Sequence, residues 1–329
     1  MIERWVRFWD QREAPNSLAL IRIVLGSVLL VDLLLAGWFG VVELLWAPPP
    51  HGAATGALAL PLPLAVRVLG ASPETGFALW ALAVGCCLLF VLGAAYRVAS
   101  IGLVFAMVEL SACQPAGDGI DALLRIALPV LAVSGAGKVW SVDAWFRKRR
   151  GKPPTATVTA WPRYLLFLQL VWLYTSAGYQ RNLVPWGPLG GFIAVGNVLG
   201  DPHFARFAPG SLAPFHLLLR LGALATMLFE LTSPLAFLWT WLEYRPSRGG
   251  RFGDFVRRRH VRWLWLGAGV SLHAGIALTM KLGLFPFGML ALYPAFLHPS
   301  ELTRGLGEAT KRVAKLRSLL AREHVATND

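Results

Sequence analysis

A chain of 329 residues that is 56% hydrophobic and only 15% charged, with a mean hydropathy of +0.55, carries more apolar surface than a soluble fold can bury. Its formal net charge of +13 does not mark a nucleic-acid binder, because the basic residues flank apolar runs and lack interleaved aromatics. Three cysteines, the adjacent Cys86 and Cys87 and the separate Cys113, exclude a disulfide framework and read as packing residues.

A charged amino-terminal stretch precedes the first apolar run, Ser17–Trp38, which is too long for the apolar region of a cleavable signal. Further runs follow at Thr75–Ala95, Val98–Cys113, Gly119–Ala136, Trp161–Gly178, Pro214–Tyr244, Trp263–Met280 and Leu284–Leu297. A helix needs about 20 apolar residues to cross a bilayer core, and shorter runs are tolerated inside a bundle. The pattern predicts an all-α polytopic membrane bundle of about eight transmembrane helices. The last run holds Pro286 and Pro294, which leaves seven spans plus a re-entrant piece as the alternative.

The segments between runs differ in character. Phe39–Glu74 is rich in proline, with Pro48, Pro49, Pro50, Pro61, Pro63 and Pro73, and Lys138–Ala160 holds the block RKRRGKPP, which reads as solvated linker. Tyr179–Ala213 contains a small apolar stretch, Gly191–Val198, able to dip into the membrane, and then Asp201, His203 and Arg206 at helix-like spacing. Residues 1–299 therefore form a membrane domain and 300–329 a basic tail. In the tail Leu302, Leu306, Ala309, Val313, Leu316 and Leu320 make an amphipathic stripe suited to an anionic inner leaflet.

Charge placement orients the bundle. With the amino terminus inside, the inner segments hold all but seven of the 31 Lys and Arg. Arg67, Arg181, Arg206 and Lys281 fall outside, and Arg22, Arg125 and Arg220 lie within spans. That asymmetry predicts an N-in, C-in topology. Richness in Ala, Gly, Arg and Pro points to a bacterial source, hence to the cytoplasmic (inner) membrane.

Ionisable groups inside a membrane cost about 2.5–3.5 kcal/mol each even on the lenient scale, so each calls for a partner or a purpose. The set is Arg22, Asp32, Glu109, Asp121, Arg125, Arg220, Glu230 and His273. Either they line a polar chamber open to the outside, or they rivet helices together. Asp121 and Arg125, four apart, are expected to pair with each other. His273, beside Ser271 and Thr279, suits a hydrogen-bonded packing role as well as it suits acid–base work. On the fifth run Gln169, Trp172, Ser176 and Gln180 share one helical face, and Tyr174 and Arg181 share another. Two such stripes predict a helix inside the bundle. The run closes on YTSAGYQRNLVPW, Tyr174–Trp186, which delivers a guanidinium to a water boundary.

Five segments in order resemble one family. They are LGAAYR (Leu92–Arg97), WSVD (Trp140–Asp143), AGYQRNLVPW (Ala177–Trp186), Glu230 in the sixth run, and His273 with GLFPFGML (Gly283–Leu290). Together they are similar to the horizontally transferred transmembrane (HTTM) domain family, whose best-known member is the vitamin K-dependent gamma-carboxylase. The resemblance implies a lysine pair after AG, one lysine being the base that deprotonates a reduced quinone. Here those positions are Gln180 and Arg181. A lysine can be desolvated to a neutral amine, whereas an arginine side chain stays protonated, with a pKa above about 12. Carboxylation is therefore not expected to transfer, although Arg181 can still hold an anion. The chain also ends shortly after its last run, so the large domain that the carboxylase appends is expected to be missing.

Two functions stay open. One is a helper in maturation or export of a secreted peptide, or an assembly factor. The other is a membrane enzyme acting on a quinone-like or lipid-like substrate, with reduced quinone as the cofactor the resemblance offers. In that case Glu230, His273 and His203 are the candidate acid–base groups, and Arg181, Gln180, Tyr174, Trp186 and Arg220 the candidate substrate contacts. Transport fits less well, since no inverted repeat or paired broken helices are visible. No metal-ligand pattern is present.

Overall fold

The computed structural model describes residues 2–47, 64–111, 119–244 and 249–311. Cys113, residues 48–63 of the proline-rich loop and the tail beyond residue 311 lie outside the described residues. The fold is helical, as expected. In chain order the helices are α1 (Ile2–Trp9), α2 (Asn16–Trp38), α3 (Val41–Trp46), α4 (Leu64–Leu69), α5 (Pro73–Leu92) and α6 (Tyr96–Leu110). Next come α7 (Gly119–Val133), α8 (Val142–Arg149), α9 (Trp161–Tyr179), α10 (Leu183–Trp186), α11 (Ala194–Gly200) and α12 (His216–Thr232). The last four are α13 (Leu235–Tyr244), α14 (Gly250–Arg258), α15 (Val261–Thr279) and α16 (Phe285–Ala291), with a 3₁₀ turn at Tyr293–Phe296. One two-residue antiparallel ladder joins β1 (Arg12–Glu13) to β2 (Val158–Thr159).

Among the described residues four helical segments are long and apolar enough to cross a membrane: α2, α5, α12 with the turn before it (Gly210–Thr232), and α15. The other predicted runs are shorter, broken or, in the case of α9, 19 residues long but less apolar. The sixth splits at Ser233–Pro234 into α12 and α13, because a proline has no N–H to continue the ladder and its ring clashes with the preceding turn. The eighth becomes α16 plus the 3₁₀ turn, again around its prolines. α5 shows how a long helix is bounded here. Ser72 accepts the Thr75 N–H at 3.3 Å with Pro73 in the first turn, and Gly93 ends the helix at φ 65°.

The core lies where α2, α5, α6, α7, α9, α15 and α16 meet, around Leu18, Leu25, Phe90, Leu103, Leu131 and Phe296. Large apolar residues also stand exposed along the helices, among them Val98, Ile101, Trp172, Leu264 and Leu278. Such a belt suits lipid rather than water. Cys87 is buried and donates to the Gly26 carbonyl at 3.3 Å, a packing role as expected.

At one end of the bundle, LGAAYR and WSVD form a single lock. Both Asp143 carboxylate oxygens accept backbone N–H groups of Ala95 and Tyr96, each at 2.9 Å, which caps α6. The Asp143 N–H donates to the Gly93 carbonyl at 3.1 Å. Arg22, fully buried, donates to the Trp140 carbonyl and faces the Tyr96 ring. A Cβ at position 93 would stand 1.8 Å from Arg22 Nη1 and 2.4 Å from Ser141 Cβ, so only glycine fits. At the same end Glu13 and Arg163 form a buried bidentate pair at 2.8–3.0 Å, and Arg262 binds Glu301, Tyr244 and the Phe296 carbonyl.

Three sequence expectations are corrected. The block RKRRGKPP is not all linker: Ser141 caps α8 through the Ala144 N–H at 3.0 Å, and the helix runs on to Arg149 with its basic last turn against the negative helix end. Asp201, His203 and Arg206 form a turn instead of a helix, because Asp201 captures the His203 N–H at 2.9 Å while Ala205 bridges to Met280. On α9 the Gln169–Gln180 stripe is not interior along its length: Gln169 is buried, but Trp172 and Gln180 are exposed. The Tyr174–Arg181 stripe does face inward.

Candidate functional site

The opposite end of the bundle gathers the residues of the AGYQR segment. Gly178 lets α12 close on α9: a Cβ there would lie 2.9 Å from Glu230 Cβ and 3.1 Å from the backbone at residues 230 and 231. That contact brings Glu230 level with Arg181. Asn182 then accepts the Val184 N–H at 3.0 Å and starts α10, which returns the chain so that the Trp186 ring lies 3.6 Å from the Arg181 guanidinium carbon. Arg181 donates through Nε and Nη2 to both carboxylate oxygens of Glu230. The Glu230 side chain is buried and that of Arg181 is 21% exposed.

This arrangement alters the roles expected of both residues. The anion in the Arg181 fork is the chain's own Glu230. While the pair is closed, Glu230 is not a separate proton donor or acceptor, since both its oxygens accept from a cation. The fork geometry is the strong, planar form of carboxylate recognition. Trp186 completes it as a cation–π lid over the guanidinium. The Nη1 edge stays without a partner among the described residues.

Deeper in the bundle, Tyr174 sits between His273 and Tyr293. Its hydroxyl is 2.6 Å from His273 Nε2 and 2.9 Å from the Tyr293 hydroxyl. His273 Nδ1 is buried with no hydrogen-bond partner. Phe229, Trp265 and Phe296 pack around them, with Tyr174–Phe229 centroids at 4.9 Å and Phe229–Trp265 at 4.8 Å. The space between α9, α12 and α15 is thus filled by rings. A chain of imidazole and two phenols can relay a proton only if something meets Nδ1; otherwise it pins three helices together. Tyr293 was missed from the sequence, since its run carries Pro294 and no charge that would flag it.

The remaining candidates do not converge there. His203 is exposed in its turn, with Nδ1 3.0 Å from Asp201 Oδ1. Arg220 is exposed on α12 beside Gly191, and Gln180 is exposed at the end of α9. Glu109 caps α4, accepting the N–H groups of Leu64 at 3.0 Å and Ala65 at 2.8 Å. A separate cavity of about 420 Å³ opens between α2, α7 and the turn after α15. Leu25, Leu29 and Phe285 floor it, and Asp32, Asp121 and Lys281 stand in its wall. No group of three or more His, Cys, Asp or Glu able to hold a metal occurs among the described residues.

A family model of the HTTM domain matches residues 11–242. The matched range contains the Gly93–Asp143 lock and the Arg181–Glu230 pair, while His273 and Tyr293 lie beyond it. No curated protein and no solved structure matches the chain. With more than half of its length under that one family model, the chain belongs to the HTTM family, a family of membrane proteins that includes the gamma-carboxylase type.

Proposed function

We propose that this HTTM protein crosses a bacterial cytoplasmic membrane about eight times with both termini inside, and acts as a helper in maturation or export of a secreted peptide, not as a carboxylase. The observation that carries the reading is the closed Arg181–Glu230–Trp186 cluster. Where the resemblance calls for a titratable amine, the chain has a guanidinium engaged by its own carboxylate. A residue that cannot give up its proton, held by a buried counter-ion, fits a rigid docking end better than a reaction centre. Exposed Trp38, Tyr179, Leu183 and Leu189 give that end an apolar surface for an extended peptide. The test is photo-crosslinking in cells from positions 183 and 189. The expected adduct is a secreted polypeptide; adducts to lipid alone would overturn the reading.

The cavity beside Asp32, Asp121 and Lys281 supports a second reading, a membrane enzyme acting on a quinone-like or lipid-like substrate. An apolar floor below charged groups suits an amphiphile. These residues would hold the substrate, while Arg181, His203 and Arg220 would have no part in it. Mass spectrometry of purified protein decides: a stoichiometric quinone or lipid lost in Phe285→Trp, which fills the cavity, favours this reading over the helper.

A further inference from the structure

We infer that α14 carries a binding site for the phosphate headgroup of an anionic phospholipid, built from Arg251, Arg258 and Arg259 around Phe255. The inward side of the helix is fixed first. Gly253 and Val256 are buried, and Arg257 donates to the Leu242 carbonyl at 2.9 Å and to Asp254 at 2.7 Å, tying α14 to the end of α13. That leaves Arg251, Phe255, Arg258 and Arg259, at spacings of four, seven and eight, on one outward face. They and Asp254 line an open surface hollow of about 340 Å³.

The charge balance in the hollow is one-sided. Its one acid, Asp254, is already neutralised by Arg257. The side chains of Arg251, Arg258 and Arg259 have no hydrogen-bond or ion-pair partner among the described residues. Three unspent guanidinium forks around one hollow match the oxygens of a phosphate monoanion or diester. The apolar component selects the source. Phe252 and Phe255 are each more than half exposed beside these cations, and α15, with lipid-suited Leu264 on its surface, begins two residues after Arg259. A soluble phosphate has no use for exposed phenylalanines, whereas a phospholipid brings acyl and glycerol groups to cover them. Topological bias alone would place basic residues here. It would not leave three of them around a common hollow whose acid is internally paired.

The test uses the full chain in detergent, titrated with phosphatidylglycerol or phosphatidylcholine while thermal unfolding is followed. The variant R251Q/R258Q/R259Q is expected to lose about a hundredfold in apparent affinity for phosphatidylglycerol, each basic group contributing about fivefold. The variant R149Q/R150Q/K152Q, with the same change in net charge at the exposed end of α8 and the connector after it, should behave as wild type, and neither should alter the phosphatidylcholine response. Equal loss in the two variants, or no loss in the first, overturns the site. Displacement of phosphatidylglycerol by inorganic phosphate overturns the lipid assignment. Should the glutamine variant unfold in phosphatidylcholine, R251K/R258K/R259K decides. It keeps the charge without the fork, so an intermediate affinity supports the site and an unchanged one removes it.

Discussion

Removing either partner of the Arg181–Glu230 pair leaves a charge in an apolar bundle. Because Glu230 is the more buried of the two, Arg181→Ala should be the worse change, destabilising by about 3 kcal/mol. The double variant Arg181→Leu, Glu230→Leu should recover most of that loss, since the two charges then leave together. Thermal unfolding in detergent reads both, and additive losses would show that the two residues do not act as a pair. Arg181 was legible as important because a cation ended an apolar run. The pairing was not, although Glu230 was itself a candidate, because it lies 49 residues away and only helix packing sets the two face to face. At Gly93 the constraint is steric. Gly93→Ala combines a left-handed φ with a clash against a buried guanidinium, and should cost about 3 kcal/mol or more. Membrane accumulation close to that of wild type would contradict it.

The elements show why some intramembrane charges are structural. Glu109 looks like a chamber residue from its place in an apolar run, yet both its oxygens cap the first turn of α4. Glu109→Ala should cost about 1–2 kcal/mol and speed amide exchange in Leu64–Leu69 while leaving α9 and α12 protected. Faster exchange throughout the bundle would point to a role in the core instead. The extent of α2 and α5 was readable because a long apolar run has one stable form in lipid. The break between α12 and α13 depends on Pro234, whose effect an apolar window average hides. The misread Asp201–Arg206 turn has the same origin: a side chain that captures its neighbour's N–H defeats helical spacing.

At the scale of the molecule, α15, the 3₁₀ turn after α16 and the segment beyond it are joined through Arg262, Tyr244, His298 and Glu301. Burial, then the nearby Arg163, holds the His298 imidazole below its ordinary value of 6.5, against the opposing pull of Glu13 and Glu301. Burial would raise Glu301, but hydrogen bonds from Arg262 and Tyr244 outweigh it and hold the carboxyl below its ordinary 4.5. Both depressed values mean that the unfolded chain binds more protons, so stability increases with pH across each window. On acidification His298 contributes a loss that begins as pH falls below 6.5, and Glu301 contributes one that begins below 4.5. The unfolding temperature against pH should show both steps, and His298→Gln should weaken the first and leave the second unchanged. A profile flat from neutral pH down to 5 would refute the linkage.

The residues in linear order determined the class of this protein: a helical membrane bundle, the positions of its apolar runs, and its family. Hydrophobic length, the flanking of those runs by arginine and lysine, and short ordered motifs are local properties that survive without a fold. Only the tertiary structure decided what each charge does. An ion pair depends on which helices touch, and those contacts come from side-chain volume: Gly178 bringing α12 against α9, and Gly93 admitting Arg22 beneath the α5–α6 turn. Charges separated by scores of residues have no signature in composition or spacing. Close packing selects their partners.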